Sequence, residues 1–358
     1  MSDDAAGSAV AEQGLKGQDD SVASFDEQGG GALRMLQHFL HEFPTAIPFF
    51  VLVVGIVIFA FAAGSRFYAP FNLSLVLQQV TIIATLGIAQ TLVILTAGID
   101  LSVGAIMILS SIVMGRFAVV YGVPVAVAFP LGLLTGVVCG LINGVLVAMV
   151  KLPPFIVTLG TWSIYGALVI FVSNSETVRS QDIEAIAPLL QWTGAIIRLG
   201  GGAVLTYGAI LMIVLALLVS YLLSRTAFGR HVYATGDDPE AARLAGINTR
   251  RTLIGVYTLA GFICGIAGWV IIGRIGAASP LAGQDANLDA ITAVVIGGTS
   301  LFGGRGSIVG TLFGALIVGV FRNGLALAGL DSLWQEFTVG ILIIVAVTID
   351  QWIRKVSA

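Results

Sequence analysis

Charge is scarce in this chain: Asp, Glu, Lys and Arg make up 10% of its 358 residues, against 57% hydrophobic residues and a mean hydropathy of +0.99. Soluble domains carry about a quarter charged residues, so a water-soluble globule is excluded. Histidine is rarer still, and none of the three lies in an apolar segment: His38 and His41 precede the first apolar run, and His231 sits in an arginine-rich stretch. No His-x-x-x-His pair stands inside a helix, so no metal centre is expected. There is no nucleophile beside a base and no pair of carboxylates of the hydrolase kind. No Gly-x-x-x-x-Gly-Lys-Ser/Thr loop occurs either, so if ATP drives this protein another chain must bind it. The two cysteines, Cys139 and Cys264, both lie in apolar runs and read as small buried hydrophobes rather than a disulfide. No basic region leads straight into a short apolar core with a small-residue cleavage site, so no cleaved signal peptide is expected.

Long apolar runs are abundant. Lipid offers no partner for backbone amides, so spanning segments must be helices or a closed barrel, and the absence of dyad alternation excludes the barrel. Ten runs fit helices: 46–65, 73–96, 104–121, 124–150, 155–172, 204–223, 253–273, 288–298, 307–328 and 335–352. The fold class is therefore an all-α membrane protein, a polytopic bundle with broken or re-entrant segments. Two runs depart from the rest: 288–298 is too short to cross alone and 155–172 is marginal, so either can be re-entrant. Gly297, Gly298, Gly303, Gly304 and Gly306 argue against one helix over 288–328, because each interior glycine costs about 1 kcal/mol relative to alanine. The 45 glycines are expected to serve close helix packing.

Charge also sets the orientation. Residues 1–44 form an acidic tail, with Asp3, Asp4, Glu12, Asp19, Asp20, Asp26 and Glu27 against Lys16 in its first part, expected to be disordered and cytoplasmic. The remainder, 45–358, is mildly basic and makes up the membrane domain, with no nucleic-acid patch. Segment 224–252 carries Arg225, Arg230, Arg243, Arg250 and Arg251 and is placed in the cytoplasm. Six spans before it and four after put both termini inside, with Arg354 and Lys355 in agreement, and 173–203 becomes a structured outer loop.

Ionisable residues within the spans are few. Asp100, Asp289 and Asp350 stand at span ends, where capping or interfacial hydration is the ordinary explanation, and Arg274 and Arg322 lie where snorkelling is. This scarcity argues against a proton-coupled carrier. In the arginine-rich segment, Asp237 to Gly246 reads as a short helix: Asp238 can cap it, Pro239 fits its first turn and Gly246 closes it. Taken alone, such a helix reads first as an element lying on lipid headgroups, with a knob for a partner's groove as the alternative. A faint echo relates Gly98-Ile99-Asp100-Leu101-Ser102-Val103-Gly104 to Gly298-Thr299-Ser300-Leu301-Phe302-Gly303-Gly304, which a duplicated transporter half or chance in glycine-rich sequence would leave.

Those motifs carry a resemblance. The Gly98 to Gly104 stretch, Pro154-Phe155-Ile156-Val157-Thr158-Leu159-Gly160, Gly229-Arg230 through Ala234 to Asn248, Leu288-Asp289-Ala290-Ile291 and Ile296 to Gly306, in that order over about residues 70–350, resemble the sugar-type permeases of ATP-binding-cassette importers, the ribose, xylose, galactose and fructose group. The resemblance implies a homodimer in the bacterial inner membrane, a cytoplasmic ATPase pair that binds the ATP, a periplasmic sugar-binding protein, and no cofactor on the chain itself. It places Gly236, Pro239, Glu240, Ala242, Arg243 and Gly246 in a coupling helix. Two departures stand out: Asp237-Asp238 replaces a usual Gly-Asn, and Asn287 replaces a usual Glu. The acidic tail is closest in appearance to fructose-type members, with ribose or mannose as alternatives. A neutral sugar calls for amides, hydroxyls and an aromatic face. Among Gln78, Gln79, Gln90, Asn143, Thr158, Thr161 and Trp162, the candidates kept for the pathway are Gln90, Asn143 and Trp162, each of which could instead hydrogen-bond helix to helix. An ion-coupled secondary sugar carrier and a passive channel are the rival classes.

Overall fold

The computed structural model describes residues 46–283 and 285–357. The expected tail over 1–44 lies outside them. The chain runs α1 (Ala46–Ala63), α2 (Pro70–Leu95), α3 (Val103–Val119), α4 (Val125–Ala148), α5 (Pro154–Ser173), α6 (Ser180–Ile186), β1 (Ile196–Gly200), β2 (Ala203–Thr206), α7 (Tyr207–Arg225), α8 (Ala227–Asp237), α9 (Pro239–Leu244), α10 (Thr249–Ile275), α11 (Ala286–Ile296), α12 (Ile308–Leu327) and α13 (Ser332–Ser357).

Each of the ten apolar runs is helical, and among the described residues seven helices are long and apolar enough to cross a membrane: Pro48–Arg66, Pro70–Leu95, Val125–Ala148, Pro154–Ser173, Tyr207–Arg225, Thr249–Ile275 and Ile308–Leu327. Shorter apolar helices cover Val103–Val119, Ala286–Ile296 and Ser332–Val345. The marginal run at 155–172 is thus corrected: it is one unbroken helix of 20 residues, started by Pro154 in its first turn and closed by Asn174 in the left-handed region at φ 54°. The run at 104–121, read as an ordinary span, is instead a shortened helix of 17 residues. The run at 288–298 is short as expected, 11 residues followed by non-helical backbone through Gly306.

Glycine governs the close pairing of α4 with α10. On α4, Gly136, Gly140 and Gly144 recur at every fourth position and face α10; a methyl at Gly140 would stand 2.2 Å from the Tyr257 carbonyl oxygen, and one at Gly261 of α10 2.2 Å from that of Gly136. Lipid supplies no hydrophobic drive between helices, so backbone-to-backbone proximity does the work here. A larger buried core gathers α2, α3, α4 and α10, and a second joins α1, α2 and α12. Large apolar side chains such as Phe61 and Phe171 face outward almost fully exposed, which suits acyl chains and no aqueous surface.

Segment 173–203 is structured, as expected, into α6, a 3-10 turn at Pro188–Gly194 and the antiparallel β1–β2 ribbon, a small departure from an all-α chain. Segment 224–252 is more regular than a loop with one short helix: α8, α9 and the start of α10 occupy nearly all of it.

Candidate functional site

The α8–α9 unit is built from consecutive caps. Thr226 opens α8 by accepting from Gly229 N at 3.3 Å; Asp238 opens α9 by accepting from Glu240 N at 2.9 Å and Ala241 N at 3.0 Å; Asn248 opens α10 by accepting from Arg251 N at 3.0 Å. Each side chain satisfies amides that the first turn leaves unpaired. Gly246, at φ 85°, closes α9, with Gly246 N donating to Arg243 O and Ile247 N to Ala242 O, both at 3.0 Å. Ala242 faces inward, whereas Glu240 and Arg243 point out and pair with each other at 3.0 Å. That pair is solvent-exposed on both sides and contributes little stability, so both charges remain available. Leu244, missed in the sequence, stands beside them 83% exposed; an isolated leucine carries no motif, and only the closed turn shows that it projects.

Gly236 sits at the opposite side of this unit. A methyl built on it would stand 1.8 Å from Leu95 O, at the end of α2, and 2.8 Å from Gly304 N. Tyr233, one turn earlier, donates its hydroxyl to Gly306 O at 2.9 Å; burial pushes its phenol above the ordinary tyrosine range, so it stays a neutral donor. The second segment of the sequence echo, 298–304, meets the chain here just ahead of the first. Gly304 N donates to Leu95 O at 3.1 Å, and Gly303, at φ 85°, lies so close to Ala97 N that a methyl would stand 2.8 Å away.

A second polar region is buried among α2, α3, α4 and α5. Asp100 accepts from Ser102 N at 2.7 Å and Ser102 Oγ at 2.6 Å; Asn143 donates to Ser102 Oγ at 2.8 Å; Tyr165 donates to Asn143 Oδ1 at 3.3 Å and to Cys139 O at 3.0 Å. Gln90, with its amide turned to satisfy both partners, donates to Asp100 O at 3.0 Å and accepts from Asp100 N at 3.2 Å. Asp100 is thus a buried local acceptor rather than a hydrated end group. Gln90 and Asn143 come together in this cluster, fully buried and hydrogen-bonded within it. Trp162 does not join them: it lies on the outward face of α5, 47% exposed.

Asn287 binds the start of α11 to the start of α3, accepting from Gly104 N at 2.6 Å and donating to Leu101 O. The expected snorkelling of Arg322 is also corrected. Its guanidinium donates to Asp289 and to Glu336, 2.8 Å each, and joins α11, α12 and α13. The sequence could not match these partners, 33 and 14 residues apart on three separate helices. A small cavity of about 50 Å³ is lined by Gln78, Thr81, Thr193, Thr206 and Arg274. That is room for a water or two and not for a sugar.

The family described as branched-chain amino acid transport system / permease component matches residues 72–347. The fructose import permease protein of Rhizobium meliloti is 59% identical over 337 residues, 94% of this chain and 93% of its own length. The ribose import permease protein of Bacillus subtilis is 40% identical over 311 residues, covering 87% and 93%, and the xylose transport system permease protein of Haemophilus influenzae 32% over 366, covering 86% and 96%. No solved structure matches the chain. A charge-poor bundle with seven long apolar helices among the described residues, matched over most of its length by import permeases, belongs to this permease-component family and is a multi-pass protein of the bacterial inner membrane.

Proposed function

We propose that this chain is the membrane-spanning subunit of a binding-protein-dependent ATP-binding-cassette importer that carries a monosaccharide into the cytoplasm, fructose first, with ribose or mannose as alternatives. The 59% identity to a fructose import permease over nearly the whole chain supports the substrate class. A separate ATPase subunit binds and hydrolyses ATP, a periplasmic sugar-binding protein delivers the cargo, and two copies of the chain form the pore within the lipid. The chain itself holds no cofactor.

The observation that carries the coupling assignment is the exposed face of α9: Glu240, Arg243 and Leu244 project from a helix capped at Asp238 and closed at Gly246, while Ala242 anchors it from below. A charged pair beside an apolar knob suits a groove on a soluble partner. With Gly236, Pro239, Glu240, Ala242, Arg243 and Gly246 as the coupling element, segment 224–252 lies in the cytoplasm, 173–203 in the periplasm, and the tail over 1–44 inside. Gln90 and Asn143 border the pathway through the positions they hold, and Trp162 supplies an aromatic face on the outer surface of the bundle.

Uptake of labelled fructose, ribose and xylose by a strain lacking the chain, with and without its restoration, tests the substrate. Reconstitution separates the classes: the chain alone transports nothing under a proton or sodium gradient, and uptake begins once ATPase, ATP and binding protein are present. Gradient-driven uptake by the chain alone would overturn the proposal in favour of a secondary carrier.

A further inference from the structure

We propose that Tyr233 and Gly236 are positioning residues that carry movement of α9 into a paired unit made of the two irregular segments, 96–102 and 297–306. The inference rests on the reading of α9 as the ATPase contact and deepens it.

Only Asp238 separates α8 from α9, and its backbone N–H still donates to Ala234 O at 3.2 Å. The two helices are therefore jointed closely enough that α9 cannot shift without taking the end of α8 with it. That end is held at two points. The Tyr233 hydroxyl binds Gly306 O at 2.9 Å, and Gly236 is wedged between Leu95 O and Gly304 N with no space for a methyl.

Beyond this contact segment 297–306 lies against the start of segment 96–102: Gly304 N donates to Leu95 O, the last residue of α2, and a methyl on Gly303 would stand 2.8 Å from Ala97 N. The far end of 96–102 is tied to α11, the helix that leads into 297–306, where Asn287 accepts from Gly104 N and donates to Leu101 O. A push on one segment is thus delivered to the other. Segment 96–102 carries Asp100 and Ser102, whose bonds reach Asn143 on α4 and, through it, Tyr165 on α5. Backbone outside a helical ladder absorbs φ/ψ change at low cost, which is where hinges are found. Among the described residues, the buried hydroxyls of Thr235 and Thr299, next to this contact, find no hydrogen-bond partner, as expected of polar groups whose contacts are remade in another conformation.

The test uses the whole complex, with the ATPase and binding protein that co-purify with the tagged wild-type chain, in proteoliposomes. Three quantities are measured for Y233F and G236A: ATPase subunit retained, ATP hydrolysed, and labelled fructose taken up per ATP. Y233F removes one hydroxyl and keeps the ring, so retention and hydrolysis stay within about twofold of wild type while uptake per ATP falls roughly three- to tenfold, the range set by one buried hydrogen bond. G236A, if it assembles, is more severe. Wild-type uptake per ATP in Y233F overturns the inference, whether or not G236A folds, and so does a parallel fall of all three quantities, which marks a merely structural role. If the wild-type chain retains no ATPase subunit, the coupling assignment itself fails, and this inference with it.

Discussion

Arg322 and Asp289 meet at 2.8 Å with little solvent around either side chain, and Glu336 completes the contact from a third helix. Removing one partner of a buried pair strands the other charge, at about 3–5 kcal/mol. Because Glu336 still faces Arg322, Asp289→Ala should fall at the low end, about 3 kcal/mol. Thermal unfolding in detergent measures it; the double variant Asp289→Leu/Arg322→Met, which strands neither of the two, should lose less than Asp289→Ala alone.

Helix contact through α4 glycines makes a paired prediction. Gly140→Ala drives a methyl onto the Tyr257 carbonyl oxygen, whereas Gly166→Ala on α5 enters open space. The first should reduce the yield of folded protein and its unfolding temperature, and the second should leave both unchanged or slightly raised, because alanine is the better helix former. Equal yields from the two variants would show that the α4–α10 contact is looser than described.

Asn143 and Trp162 should separate stability from surface function. Asn143→Leu takes one hydrogen bond each from Ser102 and Tyr165 in a buried cluster, while Ser102 keeps Asp100 and Tyr165 keeps the Cys139 carbonyl, so the loss should be about 1–3 kcal/mol in all. Trp162→Ala, on an exposed face, should leave the unfolding temperature unaltered. Unfolding scans of the two variants side by side check this.

The coupling face can be tested by pull-down. Glu240→Ala/Arg243→Ala and Leu244→Asp should each weaken retention of the ATPase subunit about tenfold or more while the chain still inserts in the membrane, since these side chains are largely exposed. Asp238→Ala removes two cap bonds and should act more mildly, about 1 kcal/mol on α9. Normal retention by the double variant would remove α9 from the ATPase contact.

Composition and periodicity are local quantities, and they determined the membrane class, the ten helical runs, the interruption after Ile296 and the Asp238–Gly246 helix, because lipid forces long apolar segments into helices and caps act within a few residues of where they stand. Only the tertiary structure decided that 155–172 is unbroken, that Arg322 pairs with Asp289 and Glu336, that Gln90 and Asn143 share a cluster which Trp162 does not enter, and that Gly236 is wedged between Leu95 and Gly304. Each of these depends on which side chains face one another across helices far apart in the chain, and when nearly every face of every helix is apolar the pattern along one strand of sequence does not say which neighbour it meets.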